Sequence, residues 1–279
     1  MPKRQRKMTS DAIPKLIAEG RGQGEGENYG PWIKVQDFSS YGQANRDLGS
    51  TTGRQHDYFS KLEYHYHLVL DWLKVLDIQE QYPLLPLERT ISIANQCGIT
   101  HPFDFRTKKP VVMTTDFRIS VPLPIGKKVF FRTVKPAAKL LDTRVIAKLE
   151  IERRFYESIN EDWGIVTERQ INPVLVKNLI WSYKFKPLSS LDPLSEEMVC
   201  RISDLLTEGL LQKDISLSNL GLACDDLLGL KSGTSLSIAR HLIASQQWQV
   251  DMMKIIDPRE RLNLLGVNLV KPGLMKAGT

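Results

Sequence analysis

A chain of 279 residues, 42% hydrophobic and 25% charged, carries enough apolar material for two domains with real cores. Three scattered cysteines exclude a disulfide framework, and the five histidines do not join them at zinc-ligand spacing. No apolar run reaches membrane length, so a membrane partner is not expected, and a net charge of +6 leaves nucleic acid open as a partner.

In chain order, Lys3, Arg4, Arg6 and Lys7 form a small basic arm, of the kind that either touches phosphates or merely keeps a terminus soluble. A short helix is predicted next, with Ser10 as N-cap, Pro14 in the first turn and Gly20 past its end. The following EGRGQGEGENYGPWIKVQD has five glycines but neither Gly-Lys-Ser/Thr nor G-x-G-x-x-G spacing, so it does not cradle a phosphate. It reads as a flexible loop leading to a strand over Trp32–Val35. Arg21 and Arg54 are basic loop residues that face either DNA or solvent.

Residues 60–75 read as a helix, with Phe59, Leu62, Tyr66, Val69 and Leu73 at three- and four-residue steps as its core stripe. Glu63 sits at its edge. Ser60-Lys61-Leu62-Glu63 fits a capping box, in which the glutamate reaches back to the cap N–H. Spacing favours that role over a metal ligand. A strand is predicted over 77–87, and polar, irregular chain over 88–110. Residues 111–136 read as a β-hairpin, two β-branched and aromatic runs flanking PLPIGKK. It carries Asp116 on the first strand and Lys135 on the second, with Thr133 on the face of Lys135. A carboxylate and a lysine on one sheet face are equipment for holding a hard cation at a phosphodiester, although such a pair is also common by chance.

Ala137–Ser158 is the strongest helix pattern in the chain. On it, Glu152 beside Arg153 and Arg154 reads as an exposed ion pair. Residues 163–167 suit a last buried strand. The order helix, strand, hairpin, helix, strand predicts an α/β mixed sheet with flanking helices. The domain boundary is expected between 168 and 190, after a helix near 173–182. The remainder is helical: Ser195–Glu208, then 216–230 and 235–248 around a Gly233 turn, resembling a helix-turn-helix, with 250–266 as a two-stranded wing. Arg240 and His241 are its only groove-contact candidates, and Asp225 and Asp226 point as readily to a protein partner.

Taken together, AEGRGQGEGENYGPW, TTGRQHDYFSKLE, VLDIQEQYPLLPL, TTDF, VKPAAKLLD, KLEIERRFY and INPV, in this order, resemble the TnsA family, endonuclease subunits of heteromeric bacterial cut-and-paste transposases. The resemblance implies a restriction-endonuclease-like catalytic domain over 1–170, a boundary helix and linker over 171–190, and a winged-helix-like, mainly α partner-binding domain over 191–279. It implies Glu63, Asp116 and Lys135 as catalytic residues, and so sets a ligand role for Glu63 against the cap. Where restriction-type sites carry Glu or Gln two residues before the lysine, this chain has Thr133. Either Thr133 acts through its carbonyl or a water, or Glu152 supplies the missing oxygen. The metal ligands implied are therefore Glu63, Asp116, Thr133 and Glu152, holding Mg²⁺, with Mn²⁺ substituting, two ions to a site. The implied partners are transposon-end DNA, a TnsB-type recombinase and a TnsC-type ATPase, the last through the C-terminal domain. The implied setting is the bacterial cytoplasm, on the nucleoid when assembled. A stand-alone restriction or repair nuclease and a decayed DNA-binding adaptor are the alternatives.

Overall fold

Alternating β-branched and aromatic residues from 114 to 134 build the centre of the molecule's main sheet. The computed structural model describes residues 10–37, 45–191 and 193–268, and the chain divides into two compact units, Met1–Ile171 and Asn172–Thr279. In the first unit α1 (Ile13–Ala18) precedes a small hairpin of β1 (Asn45–Leu48) and β2 (Gln55–Tyr58). Then come α2 (Lys61–Trp72), β3 (Asp77–Pro83), α3 (Leu87–Gln96), β4 (Thr114–Pro122), β5 (Lys127–Val134), α4 (Thr143–Glu157) and β6 (Trp163–Val166). The four-stranded sheet has the order β3-β4-β5-β6.

β4 and β5 pair antiparallel from Phe117↔Arg132 to Pro122↔Lys127, around a turn where Gly126 takes φ +82°. β6 lies parallel to β5, a pairing that requires a crossover, and α4 is that crossover. Phe117 and Phe131 point to opposite faces of the sheet. On one face Phe131 stacks on Tyr156 of α4 at 4.2 Å between centroids, within a cluster of Leu84, Ile93, Ala94, Ile151 and Phe155. On the other, Tyr66 of α2 meets Phe117 edge-on at 5.5 Å.

Four expectations change. No strand forms at Trp32–Val35. Trp32 is buried with Leu16 and Val112, and Val35–Asp37 is a 3₁₀ turn in which Asp37 accepts the Lys34 N–H at 2.9 Å, taking a donor that a ladder would need. The glycine loop before it is packed: a Cβ on Gly22 (φ +70°) would lie 2.5 Å from Pro83 Cγ. Residues 87–96 are helical, because Leu87, Thr90, Ile93 and Ala94 fall on one buried face. The long helix is broken. Ala137–Leu141 is 3₁₀, and α4 restarts where Asp142 caps the N–H groups of Arg144 (2.8 Å) and Val145 (3.2 Å).

The second unit contains α5 (Pro173–Ser182), α6 (Glu196–Gln212), α7 (Leu217–Leu228), α8 (Thr234–Ala244), β7 (Trp248–Gln249) and β8 (Gly266–Val267). Here α5 is a core helix and no linker: Leu175, Val176 and Leu179 are buried, and Asn178 Nδ2 donates to the Met252 and Lys254 carbonyls at 3.0 and 2.7 Å. The α7–α8 turn uses Gly229 and Gly233, both at positive φ. Residues 250–266 form no wing. Residues 250–265 are turn and loop, and the ribbon is the two-residue pair β7–β8 on either side of them, with Gly266 the first residue of β8. His241 is buried, its Nδ1 bonded to the Phe185 carbonyl at 3.0 Å, which withdraws it from any groove.

Candidate active site

The sheet opens at Asp116. Opposite it on β3, Gln81 takes φ +51° and drops out of the ladder between the Glu80↔Phe117 and Tyr82↔Thr115 pairs. A non-glycine residue in this region is uncommon, and such strain gathers at functional sites. On the other side the β4–β5 pairing stops at Phe117↔Arg132. The released Asp116 carboxylate turns to β5 and accepts the Val134 N–H and the Lys135 ammonium on Oδ2, both at 2.7 Å. Lys135, 32% exposed, is the accessible member of the group. Burial opposes its charge, but Asp116 outweighs that, with Glu63 and Glu152 adding, and holds its pKa above the ordinary value.

Glu63 comes from the first turn of α2, and a variant of the capping box forms: the Glu63 N–H donates to Ser60 Oγ (3.1 Å), while its carboxylate accepts the Ser60 hydroxyl (2.8 Å) and, in place of the cap N–H, the N–H of Phe59 one residue earlier (3.0 Å). Burial, followed by the negative charge of Asp116, pushes the Glu63 carboxyl up to about 7. The cap therefore holds Glu63 where it feels Asp116.

Glu152 is not the exposed ion pair expected. It is 4% exposed, and Arg153 and Arg154 pair with Glu150 instead. Its Oε1 accepts from the Thr133 hydroxyl, from the Thr115 hydroxyl at 2.6 Å and from Trp163 Nε1 at 3.0 Å. Burial pushes its carboxyl up to about 7, against these hydrogen bonds. The Thr133 hydroxyl is thus spent on Glu152. Thr115, Trp163 and Tyr156, whose hydroxyl lies 2.8 Å from Thr115 Oγ1, complete a polar pocket that the sequence reading missed. Strand alternation gives no sign that Thr115 turns toward α4.

The two loop arginines are interior. Arg21, 2% exposed, is bound by Asp37 at 2.5 Å. Arg54, 8% exposed, binds Glu80 at 2.5 Å. Burial opposes ionisation of Glu80, but hydrogen bonds from Arg54 and His56 outweigh it and hold the carboxyl down at about 2. Both arginines are spent on internal charge. Lys3, Arg4, Arg6 and Lys7 lie outside the described residues.

Two buried carboxylates and a lysine where a mixed α/β sheet opens form a centre able to act on a phosphodiester, and comparison with known families specifies the class as endonuclease. The TnsA-like endonuclease N-terminal family matches residues 73–168, which include Asp116, Lys135 and Glu152, and the TnsA endonuclease C-terminal family matches residues 170–252. The chain belongs to the TnsA endonuclease family. Transposon Tn7 transposition protein TnsA of Escherichia coli is 38% identical to it over 234 residues, covering 84% of this chain and 83% of that protein.

Proposed function

We propose that the chain is the endonuclease subunit of a heteromeric transposase and hydrolyses the phosphodiesters at the 5′ ends of its transposon. The observation that carries this is the meeting of Asp116, Lys135 and Glu63 at the sheet opening, in a chain of the TnsA family. Such an intact set argues against a decayed adaptor.

A divalent cation fits the anionic pair, since Asp116 raises Glu63 and a positive ion between them relieves that repulsion. Among the described residues no three His, Cys, Asp or Glu side chains form a metal-holding cluster, so the donors are two carboxylates, completed by backbone carbonyl or water. For a second ion, Glu152 would offer its Oε2, since Thr115, Thr133 and Trp163 all bond to Oε1. The proposed ion is Mg²⁺, with Mn²⁺ able to substitute; when bound it supplies Lewis acidity and lowers the pKa of a water. The chain's own residues do the rest. Lys135 places a fixed positive charge where negative charge develops on the scissile phosphate. Asp116, gripped by the Val134 N–H, orients that lysine. Glu63 is held in place by its cap, and the buried Glu152 supports the end of β5 through Thr133.

We assign the C-terminal unit, a helix-turn-helix with a very short ribbon in place of a full winged helix, to binding a TnsC-type ATPase. Transposon-end selection falls to a TnsB-type recombinase. No described helix is long and apolar enough to cross a membrane, and the proposed setting is the bacterial cytoplasm, on DNA when assembled.

The test is strand cleavage on a transposon-end duplex with the partner proteins and Mg²⁺. Asp116→Asn keeps an oxygen for the Val134 N–H but loses the charge, so cleavage should fall by about 10²-fold or more, with thermal unfolding little changed. Wild-type cutting by this variant removes Asp116 from the centre.

A further inference from the structure

Beside the catalytic centre lies a cavity of about 300 Å³ that the reaction as described does not use. One wall is α4: Val145, Lys148, Leu149 and Glu152 are spaced i, i+3, i+4 and i+7 and share a helix face. The opposite wall is the run of chain from 111 to 114 that enters β4, and the end of β5 closes it with Thr133 and Lys135. Lys135 lines this cavity and also binds Asp116, so the two spaces adjoin.

The lining is graded. Lys148 is exposed and, among the described residues, makes no hydrogen bond or ion pair. Val145, Leu149 and the 111–113 stretch make the walls apolar. Thr133 and Glu152 are buried and polar. Glu152 is the only acid in the lining among the described residues, and Thr115, Thr133 and Trp163 already occupy it.

A cavity lined by Val111, Val112, Met113, Val145 and Leu149, with buried Thr133 and Glu152 and two ammonium groups, suits a group that is apolar on its faces, polar at its edge and joined to phosphates. That is a nucleobase on its backbone. The volume is at the lower end of the range that binds small molecules, about 300–1,000 Å³. It admits a single base and excludes a pair, so the base must leave the duplex stack.

We propose that this cavity receives one unstacked nucleotide adjoining the scissile phosphate, and that Lys148 binds its backbone phosphate at the mouth. This deepens the endonuclease reading and rests on it for the identity of the strand. Seating the nucleotide here fixes the neighbouring phosphodiester against Lys135. Lys148 is thus a binding and positioning residue.

The experiment places 2-aminopurine, in turn, at the nucleotide on either side of the cut in a transposon-end duplex. Fluorescence is read on binding to the chain with its partner proteins in Ca²⁺, and cleavage is followed in parallel in Mg²⁺. One of the two positions should brighten several-fold, since the walls carry no aromatic ring to quench it. Val145→Trp, which fills the cavity without removing a hydrogen bond, should abolish the rise and slow cleavage by about tenfold. Lys148→Ala, a surface change that leaves the core intact, should raise the half-saturating DNA concentration more than it lowers kcat. It should also reduce the slope of log affinity against log salt by about 1, the loss of one phosphate contact.

No brightening at either position, a rise that survives Val145→Trp, or an unchanged salt slope for Lys148→Ala overturns the proposal. Brightening that Val145→Trp abolishes, in a wild-type complex that does not cut, leaves the nucleotide pocket standing and removes the nuclease reading instead.

Discussion

Two buried side chains carry opposite lessons about charge. The Glu152 carboxyl, ordinarily near 4.5, is held at about 7 in the folded chain. A folded-state value above the unfolded one means that the proton stabilises the native form. That stability is fully present below about pH 4.5 and is lost as pH rises through 7, up to about 3 kcal/mol. Glu152→Gln mimics the protonated acid and keeps an oxygen for Thr115, Thr133 and Trp163. In metal-free protein its melting temperature relative to wild type should climb from about pH 5 to about pH 7 and level off above that; a flat difference throughout would mean that Glu152 titrates normally. His67 is the reverse case. It is fully buried against His56, at 4.5 Å between ring centroids, and neither ring nitrogen has a partner among the described residues. Burial, followed by the charge of His56, holds its pKa down at about 3. The stability its neutral form carries is present above pH 6.5 and lost as pH falls below it. His67→Leu should stabilise the chain by about 1–3 kcal/mol at pH 7, by removing two unsatisfied polar atoms. The gain should widen toward pH 5 in denaturant titrations, and destabilisation at pH 7 would point to a hidden partner for the ring.

At the scale of elements, short side-chain caps decide where helices begin. Asp225, read from sequence as an acid unsuited to a DNA-reading motif, is buried. Its two oxygens accept the Gly233 N–H at 2.7 Å and the Ser235 N–H at 2.8 Å, which starts α8. Asp225→Ala should cost about 2–3 kcal/mol, seen as earlier unfolding in denaturant; unchanged stability would mean that Gly233 alone sets the turn. The same physics explains which elements were legible. The strand runs of β4 and β5 announce themselves by period and the Ser60–Glu63 cap is local in sequence, whereas the stripe expected on α2 is not the buried one: Leu73 is exposed, and the helix buries Glu63, His67, Leu68, Leu70 and Asp71, where polar and charged residues hide the period. α3 was missed because its buried face has only four residues, one of them Thr90, among many polar ones. The broken start of α4 was missed because Asp142 resembles any other polar helix residue until its carboxylate meets the N–H groups ahead. The site divides likewise: Asp116 and Lys135 are visible as residues, whereas the burial of Glu152 depends on Thr115 and Trp163, distant in sequence.

For the whole molecule, a net charge of +6 is modest. Arg21 and Arg54 are consumed by internal carboxylates. A chain that neutralises few phosphates binds DNA weakly, about 10⁻⁴ to 10⁻⁶ M without specific contacts. On the proposed function, the lone chain should bind a transposon-end duplex weakly across a salt series and barely nick it, and a partner seated at that end would raise its effective concentration without new base contacts. The division into two units gives a prediction of its own. Glu168, Arg169 and Gln170 are exposed immediately before the boundary at Ile171 and Asn172. Limited trypsin digestion should cut at Arg169 and leave two protected fragments. Loss of any protected C-terminal fragment would show that the second unit does not hold together alone.

The grip on Asp116 comes from the Val134 main-chain N–H, not from its side chain. Position 134 is therefore free to drift among apolar residues that fill the same space, and closed to proline alone for reasons of chemistry. A ranking of positions by side-chain identity would pass over one of the atoms that aims the Asp116 carboxylate.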